Sequence, residues 1–310
     1  MYIGIDIGGT TVKMGIVNKK GEIFSKISFS TKKSPNEVVL DIKQNIDNLL
    51  TKNKLSLKKI KGIGVGCPGT IDSKNGIIYF SCNLGWNNVD FKDMFLKETG
   101  YKGEFSIFND ARVATIAEAK FGAGKGVNNF ILLTIGTGVG AGIVINKKLY
   151  EGALGMAGEI GHVTLVKDGL NCSCGRKGCI EAYASATALI NQAKEEMKNN
   201  KNSLLYNFDE INGKIIFECA KQNDKTANLI VEKYVEYLGE SILSILNVFR
   251  PDKLVLAGGI STAGAFLIDK LNKYVQERFY GHKGAIPTDI VQSTLNDNAG
   301  IIGAAALNFD

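Results

Sequence analysis

Two glycine-rich turns in this sequence have the makings of phosphate cradles. In Asp6-Ile7-Gly8-Gly9-Thr10-Thr11 an apolar run ends near a carboxylate and enters a turn without bulky side chains. Such a turn lets backbone N–H groups approach phosphate oxygens, and threonine hydroxyls donate further bonds. Asp6 would stand within reach of a nucleotide-bound Mg²⁺, through water. Gly136-Thr137-Gly138-Val139-Gly140 repeats the cradle without the acid, and Gly258-Gly259 would let a nucleoside lie flat against bare backbone. Singly, each reads as a tight hairpin or a packing glycine. Three in this order, one bearing Asp6, read as a nucleotide site. Gly122-Ala123-Gly124-Lys125-Gly126 is a decoy: Gly126 follows the lysine where a P-loop needs Ser or Thr, and Ala119 stands where its first glycine belongs.

A second constellation is His162, Cys172, Cys174 and Cys179, three thiols and one imidazole on a short stretch. That donor set suits a closed tetrahedral Zn²⁺ site, and crowded cysteines in a cytosolic chain suggest metal before disulfide. Gly175 and Gly178 would let the chain fold back around the ion. Glu159 and Glu181 bracket the cluster. Carboxylates share hydroxyl protons and suit a polyol pocket, though solvated surface acids are an equally open reading at this point. The other cysteines, Cys67, Cys82 and Cys219, are isolated core or loop residues, and His282 is expected on an exposed loop.

These residues need strands and helices to place them. Ile3 to Val17 reads as a hairpin around the first turn, and Phe130 to Val144 as a second around the other. Both close on Gly-Ile-Val and then Asn-Lys-Lys, allowing one extra Ile, which suggests duplication. A helix is expected from Pro35, with Ser34 as N-cap and Glu37 completing a capping box. Val38, Val39, Ile42, Ile46, Leu49 and Leu50 then recur at helical spacing. Strands are expected over 60–65 and 105–108, the latter ending at Asn109-Asp110 before a helix over 111–120. Further on come a long helix over 226–249 stopped by Pro251, a strand over 254–257, a helix after Ser261, a strand over 290–293 and a C-terminal helix from about 298.

Composition narrows the class. The chain has 310 residues, 45% hydrophobic and 22% charged, as expected of a globular enzyme. No stretch approaches the roughly 18 uninterrupted apolar residues of a membrane span. No charged leader precedes Tyr2-Ile3-Gly4-Ile5, so a cytoplasmic location is expected. The net charge of +6 does not point to nucleic acid. Only four of 37 basic residues are arginine, the residue that reads bases bidentately, and lysine pairs such as Lys58-Lys59 are scattered.

Taken together, the motifs resemble the ROK family (repressors, open reading frames, sugar kinases) of the actin, Hsp70 and hexokinase superfamily. The likeness spans nearly the whole length: Asp6-x-Gly8-Gly9-Thr10, Asn109-Asp110, Gly136-Thr137-Gly138-x-Gly140, Glu159-x-Gly161-His162, Cys172-x-Cys174-Gly175-x-x-Gly178-Cys179-x-Glu181 and Ala257-Gly258-Gly259. The resemblance implies an α/β, two-lobed actin-like ATPase fold of the ribonuclease H type, with a duplicated core and an ATP and sugar cleft between lobes. The small lobe would be 1–118 with 297–310, and the large lobe 119–296, carrying zinc and the surface of a homodimer.

It also implies Asp110 as catalytic base and Gly69, Asn83, Asn109, Asp110, Glu159, His162 and Glu181 as sugar contacts. ATP and Mg²⁺ would take Asp6, Gly8, Gly9, Thr10, Thr11, Lys13, Thr134, Gly136, Thr137, Gly138, Gly140, Gly258 and Gly259. Structural Zn²⁺ would take His162, Cys172, Cys174 and Cys179. The implied reaction is phosphorylation of a hexose at its 6-hydroxyl, with glucose first and N-acetylmannosamine second, because Cys179-Ile180-Glu181-Ala182-Tyr183-Ala184-Ser185 resembles that enzyme too. Fructose and allose stand behind them. The family's sugar-sensing repressors carry a winged helix-turn-helix ahead of the body, whereas here the first hairpin begins at Ile3. A non-catalytic ATPase of the superfamily would not need both Asp6 and Asp110. The expected partner is a small sugar, with neither nucleic acid nor membrane.

Overall fold

In the computed structural model, residues 1–281, 285 and 288–309 are described, Leu154 by its backbone alone. His282, expected on an exposed loop, lies outside the described residues. β1 (Tyr2–Ile7) is buried along nearly its whole length, as an apolar strand covered on both faces must be. Its antiparallel neighbours are β2 (Thr11–Val17) and, beyond it, β3 (Ile23–Ser30), whose outer positions alternate in exposure as an edge requires. β4 (Gly62–Cys67) pairs parallel with β1, so the chain needs a crossover, supplied by α1 (Pro35–Lys52). The six apolar residues read at helical spacing are the buried face of α1. Ser34 is its N-cap but makes no side-chain cap bond, so the expected capping box does not form. Pro35 at the first position and the apolar face set the start instead.

Next come elements that are not among those expected above. β5 (Thr70–Asp72), β6 (Ile77–Ser81) and β7 (Trp86–Asp90) form a three-stranded antiparallel sheet, followed by α2 (Phe91–Thr99). β8 (Glu104–Asn109) then completes the first sheet, order β3-β2-β1-β4-β8, and leads directly into α3 (Asp110–Phe121). The glycine stretch after Phe121 ends this helix and is no P-loop, with Gly122 as C-cap.

The second sheet repeats the order. It consists of β9 (Phe130–Ile135), β10 (Val139–Ile145), β11 (Lys148–Leu149), β12 (Lys253–Ala257) and β13 (Asp289–Gln292), arranged β11-β10-β9-β12-β13. Each sheet is thus a hairpin strand trio followed by two parallel strands. The Asn-Lys-Lys likeness does not extend to the turns themselves. Asn146 and Lys147 both have positive φ in a tight hairpin, whereas Asn18 accepts the Lys20 and Glu22 amides and Gly21 carries the positive φ. α4 (Glu181–Ala184), α5 (Ala186–Asn199), α6 (Gly213–Lys221), the 25-residue α7 (Lys225–Phe249) and α8 (Ala265–Arg278) supply the helical part. Pro251 stands just beyond α7, whose C-cap Arg250 is left-handed.

By density of contacts the chain forms two units. The first is Met1–Gly126, Gly142–Gly158 and Thr294–Asp310; the second is Val127–Ala141 and Glu159–Ser293. In the first unit the C-terminal helix α9 (Ala299–Ala306) lies directly on β1 and β4. A Cβ on Gly4 or Gly64 would overlap the Ile301 or Ala304 carbonyl oxygen, so only glycine admits the helix there. Among the described residues no helix is long and apolar enough to cross a membrane.

Candidate active site

In the first unit the register of β1 and β2 sets Asp6 opposite Lys13 and closes the Gly8–Thr10 turn. The Gly8 amide donates to the Thr11 carbonyl at 3.0 Å, and Thr31 fastens the turn from β3's end: its hydroxyl donates to the Gly8 carbonyl at 2.7 Å and its amide to the Thr10 carbonyl at 3.0 Å. Neither Gly8 nor Gly9 has a positive φ; a Cβ on Gly8 would stand 2.9 Å from the Thr11 carbonyl oxygen, so there glycine admits the turn's own close approach. A Cβ on Gly9 would stand 3.5 Å from Asn83, which places that expected sugar contact beside the turn. Lys13 reaches Asp297 at 3.5 Å.

Asn109 and Asp110 sit where β8 becomes α3. Asn109 caps the helix through the Ala111 and Arg112 amides, and its own amide donates to the Gly69 carbonyl at 3.1 Å. Asp110 Oδ1 accepts the Ala111 N–H at 2.8 Å, at the positive end of the helix dipole. Gly69, with φ +118, passes so close to β6 that a Cβ would overlap the Phe80 carbonyl. Arg112, an unforeseen member, is 5% exposed and donates to the carbonyls of Gly155 and Ala157. Its only signal in the sequence is a charge on the buried face of α3.

Burial pushes the Asp6 carboxyl up to about 7, with the charges of Asp110 and Asp297 adding and Lys13 opposing. An excess of negative charge of this kind is what a divalent cation would neutralise. Folding of the metal-free protein therefore takes up a proton between 3.8 and about 7. Asp6 contributes full stability below the lower value and loses it as pH rises through the upper one. Relative to Asp6→Asn, the metal-free protein is expected to lose on the order of 1.4 kcal/mol per pH unit across that window. Denaturant melts at several pH values check this; parallel stability curves for the two proteins would mean that Asp6 is solvated in the fold.

In the second unit Thr134 of β9 holds the position that Asp6 holds in β1, two residues before its turn. The Gly136 amide donates to the Gly138 carbonyl at 3.0 Å. Gly258 follows β12 with φ +85, against the Ile135 carbonyl, and Gly259 has open space where a Cβ would stand. Glu181 opens α4 and reaches the amide of Val139 at 3.0 Å. Glu159 is exposed before a short 3₁₀ turn that carries His162.

The cluster of His162, Cys172, Cys174 and Cys179 is brought together, with all four ligand atoms within 4.8 Å of one another. Cys172 Sγ stands 3.6 Å from His162 Nδ1, and Cys174 Sγ stands 3.7 Å from Cys179 Sγ. Those are edges of a coordination tetrahedron: bonds of about 2.3 Å to sulfur put ligands about 3.7 Å apart. A disulfide, at about 2.05 Å, is excluded, and the cysteines are free. Burial pushes the Cys172 thiol up to about 12. Burial also acts to raise Cys174, but the Arg176 amide, the neighbouring thiols and the Arg176 charge bring it below the usual thiol range.

The ROK family model matches residues 2–310. The chain belongs to the ROK family. A glucokinase of Halalkalibacterium halodurans is 37% identical across 99% of this ROK chain and 94% of its own length. A glucokinase of Thermotoga maritima is 34% identical over 98% of this chain and 96% of its own. Among solved structures, a ROK family glucokinase of Streptomyces griseus, in complex with glucose and AMPPNP, superposes with a TM-score of 0.87. It is 31% identical and covers 99% of this chain and 98% of its own. The actin-like α/β ATPase fold expected from the motifs is therefore the fold of this ROK protein.

Proposed function

We infer that this ROK protein is an ATP-dependent hexose kinase that transfers the γ-phosphoryl group to the 6-hydroxyl of glucose. One observation carries the reading: the likeness to glucokinases runs the length of the chain, so every motif described above falls within it. For the lobes we keep 1–118 with 297–310 against 119–296.

Residue roles follow as proposals. In the first unit, Gly8, Gly9, Thr10, Thr11 and Lys13 would contact nucleotide phosphates, and Asp6 would hold Mg²⁺ through water. Gly69, Asn83 and Asn109 would orient the sugar. Asp110 would accept the 6-hydroxyl proton, its rotamer fixed by the Ala111 amide. In the second unit, Thr134, Gly136, Thr137, Gly138 and Gly140 are assigned to phosphates, Gly258 and Gly259 to the nucleoside, and Glu159, His162 and Glu181 to sugar hydroxyls. Phosphoryl transfer passes through a loose transition state, so alignment and charge neutralisation supply most of the rate, and Asp110 takes its proton late. Zn²⁺ on His162 Nδ1 and the three thiolates would have a structural role, since four protein ligands leave no position for a reactive water. The same reading makes the protein cytoplasmic and a homodimer; light scattering on the purified chain tests the dimer.

Purified protein is expected to release ADP from ATP only with a sugar bearing a free 6-hydroxyl. A coupled assay over glucose, N-acetylmannosamine, fructose and allose should rank glucose first by kcat/KM. Equal ATP turnover with and without sugar would sink the kinase reading, and a different leading sugar would move the substrate.

A further inference from the structure

The carboxylate of Glu181 serves two loops at once. Oε2 accepts the Val139 N–H at 3.0 Å, at the exit of the Gly136–Gly138 turn. Oε1 accepts the Ser173 hydroxyl at 2.9 Å and stands 3.6 Å from Cys172 Sγ, both in the metal loop. Two close approaches mark the same junction, one of them without Glu181. A Cβ on Gly161, between Glu159 and His162, would overlap the Val139 carbonyl oxygen, and one on Gly138 would overlap Glu181 Oε2. These motif glycines make room for the junction itself.

The residues after Glu181 complete the hold. The Ala186 amide donates to the Gly136 carbonyl at 2.9 Å, and the Thr187 hydroxyl donates to the Thr137 carbonyl at 2.9 Å. The Gly138 carbonyl takes the Gly136 amide. A carbonyl and the N–H after it share one rigid peptide plane. Fixing the Gly136 and Thr137 carbonyls therefore aims the Thr137 and Gly138 N–H groups, and the plane from Gly138 to Val139 is held at both ends. Among the described residues no bond engages those two aimed N–H groups.

We propose that the stretch Glu181–Thr187 is a clamp on the second phosphate turn, and that Glu181 is the positioning residue through which the metal loop sets nucleotide affinity. The proposal rests on the reading of that turn as a phosphate site. It separates from sugar binding cleanly: a carboxylate that only bound sugar would leave nucleotide affinity in the absence of sugar untouched.

The test is the Kd of Mg·ADP without sugar, by calorimetry on the full chain. Glu181→Ala should weaken it about tenfold, the worth of a charge-assisted hydrogen bond whose donor is left unpaired. Glu181→Gln should recover most of that loss, because its oxygen still accepts from Val139 and its amide can donate to the Ser173 hydroxyl. Ser173→Ala should cost about threefold with metal content unchanged, the worth of one neutral bond. Gly136→Val is the control. A Cβ there meets nothing within 4 Å, so the protein itself can accept the side chain, which would stand in the way of a phosphate on this turn, and ADP binding should be lost. If Gly136→Val abolishes binding while Glu181→Ala stays within about twofold of wild type, the clamp is overturned and the phosphate turn stands. If Gly136→Val binds ADP normally, both fall. A Gln variant as weak as Ala also overturns the positioning role. Should Glu181→Ala not fold, an unchanged Kd for Ser173→Ala overturns the link to the metal loop.

Discussion

Asp110→Asn is expected to lower kcat by about 10²–10⁴-fold while leaving the fold and the sugar KM nearly unchanged. The structure explains why the two effects should separate. Asp110 is the first residue of α3, and its Oδ1 accepts the Ala111 amide. An asparagine oxygen can keep that bond, and Asn109 still caps the helix, so the start of α3 survives. What disappears is the negative charge that would draw the 6-hydroxyl proton. A second readout comes from Asp6, whose carboxyl is raised by burial and then by the charge of Asp110. Removing that charge should lower the Asp6 value, visible as a downward shift in the pH dependence of metal-free stability. A variant keeping more than about a tenth of the wild-type rate would make Asp110 only a helix-start residue.

Local chemistry made much of the fold legible. β1 and β9 announce themselves as apolar runs ending at glycine turns, and α1 by an apolar stripe whose six residues are all buried. The sheet from Thr70 to Asp90 is marked only in part: β6, Ile77-Ile78-Tyr79-Phe80-Ser81 after Asn75-Gly76, is a β-branched and aromatic run, but its neighbour β7 is not. In β7, Trp86-Asn87-Asn88-Val89-Asp90, only Trp86 is buried, and Asn88 has positive φ, so neither apolar alternation nor propensity marks a strand. Ser34 failed in the other direction, with the residue types of a capping box but without its bond. In the site, motif residues could be named because each motif is local. Their joint could not. Glu181 and Val139 are 42 residues apart and meet only through the path of the chain, and nothing in Glu159-x-Gly161-His162 says that its glycine faces the Val139 carbonyl. Thr31 and Thr187 are invisible for the same reason, each fastening a backbone segment remote in sequence, and Arg112 shows only as a charge on the buried face of α3.

Replacing Cys174 by alanine is expected to cost the protein its metal and, with it, most of its grip on sugar. Apart from a metal, hydrogen bonds hold the loop from Glu159 to Cys179: the Leu165 and Val166 amides donate to the Gly178 carbonyl, the Gly178 amide to the Leu170 carbonyl, the Cys172 amide to the Arg176 carbonyl and the Leu170 amide to the Tyr183 hydroxyl. Cys174 is exposed, the Arg176 guanidinium bonds to the His162 carbonyl and the Thr164 hydroxyl from the surface, and two isolated bridges pair Thr164 with Cys179 and Asn171 with Lys177. Structural zinc contributes on the order of 10 kcal/mol to folding of small zinc peptides, whereas a neutral hydrogen bond nets only about 1 kcal/mol. Binding must also strip protons from the thiols, and burial holds Cys172 up to about 12 without an ion, so metal uptake should release protons and strengthen as pH rises. The wild type should contain about one zinc per chain, as a single four-ligand set dictates. In Cys174→Ala, Glu159, His162 and Glu181 lose their common frame, so the sugar KM should rise at least about tenfold and turnover should fall. Nucleotide affinity should fall less, because the Ala186 and Thr187 bonds to the Gly136–Gly138 turn lie outside the loop from Glu159 to Cys179. Elemental analysis with sugar and ATP titrations decides it: a wild type without zinc, or a variant with an unaltered sugar KM, would remove the metal from sugar recognition.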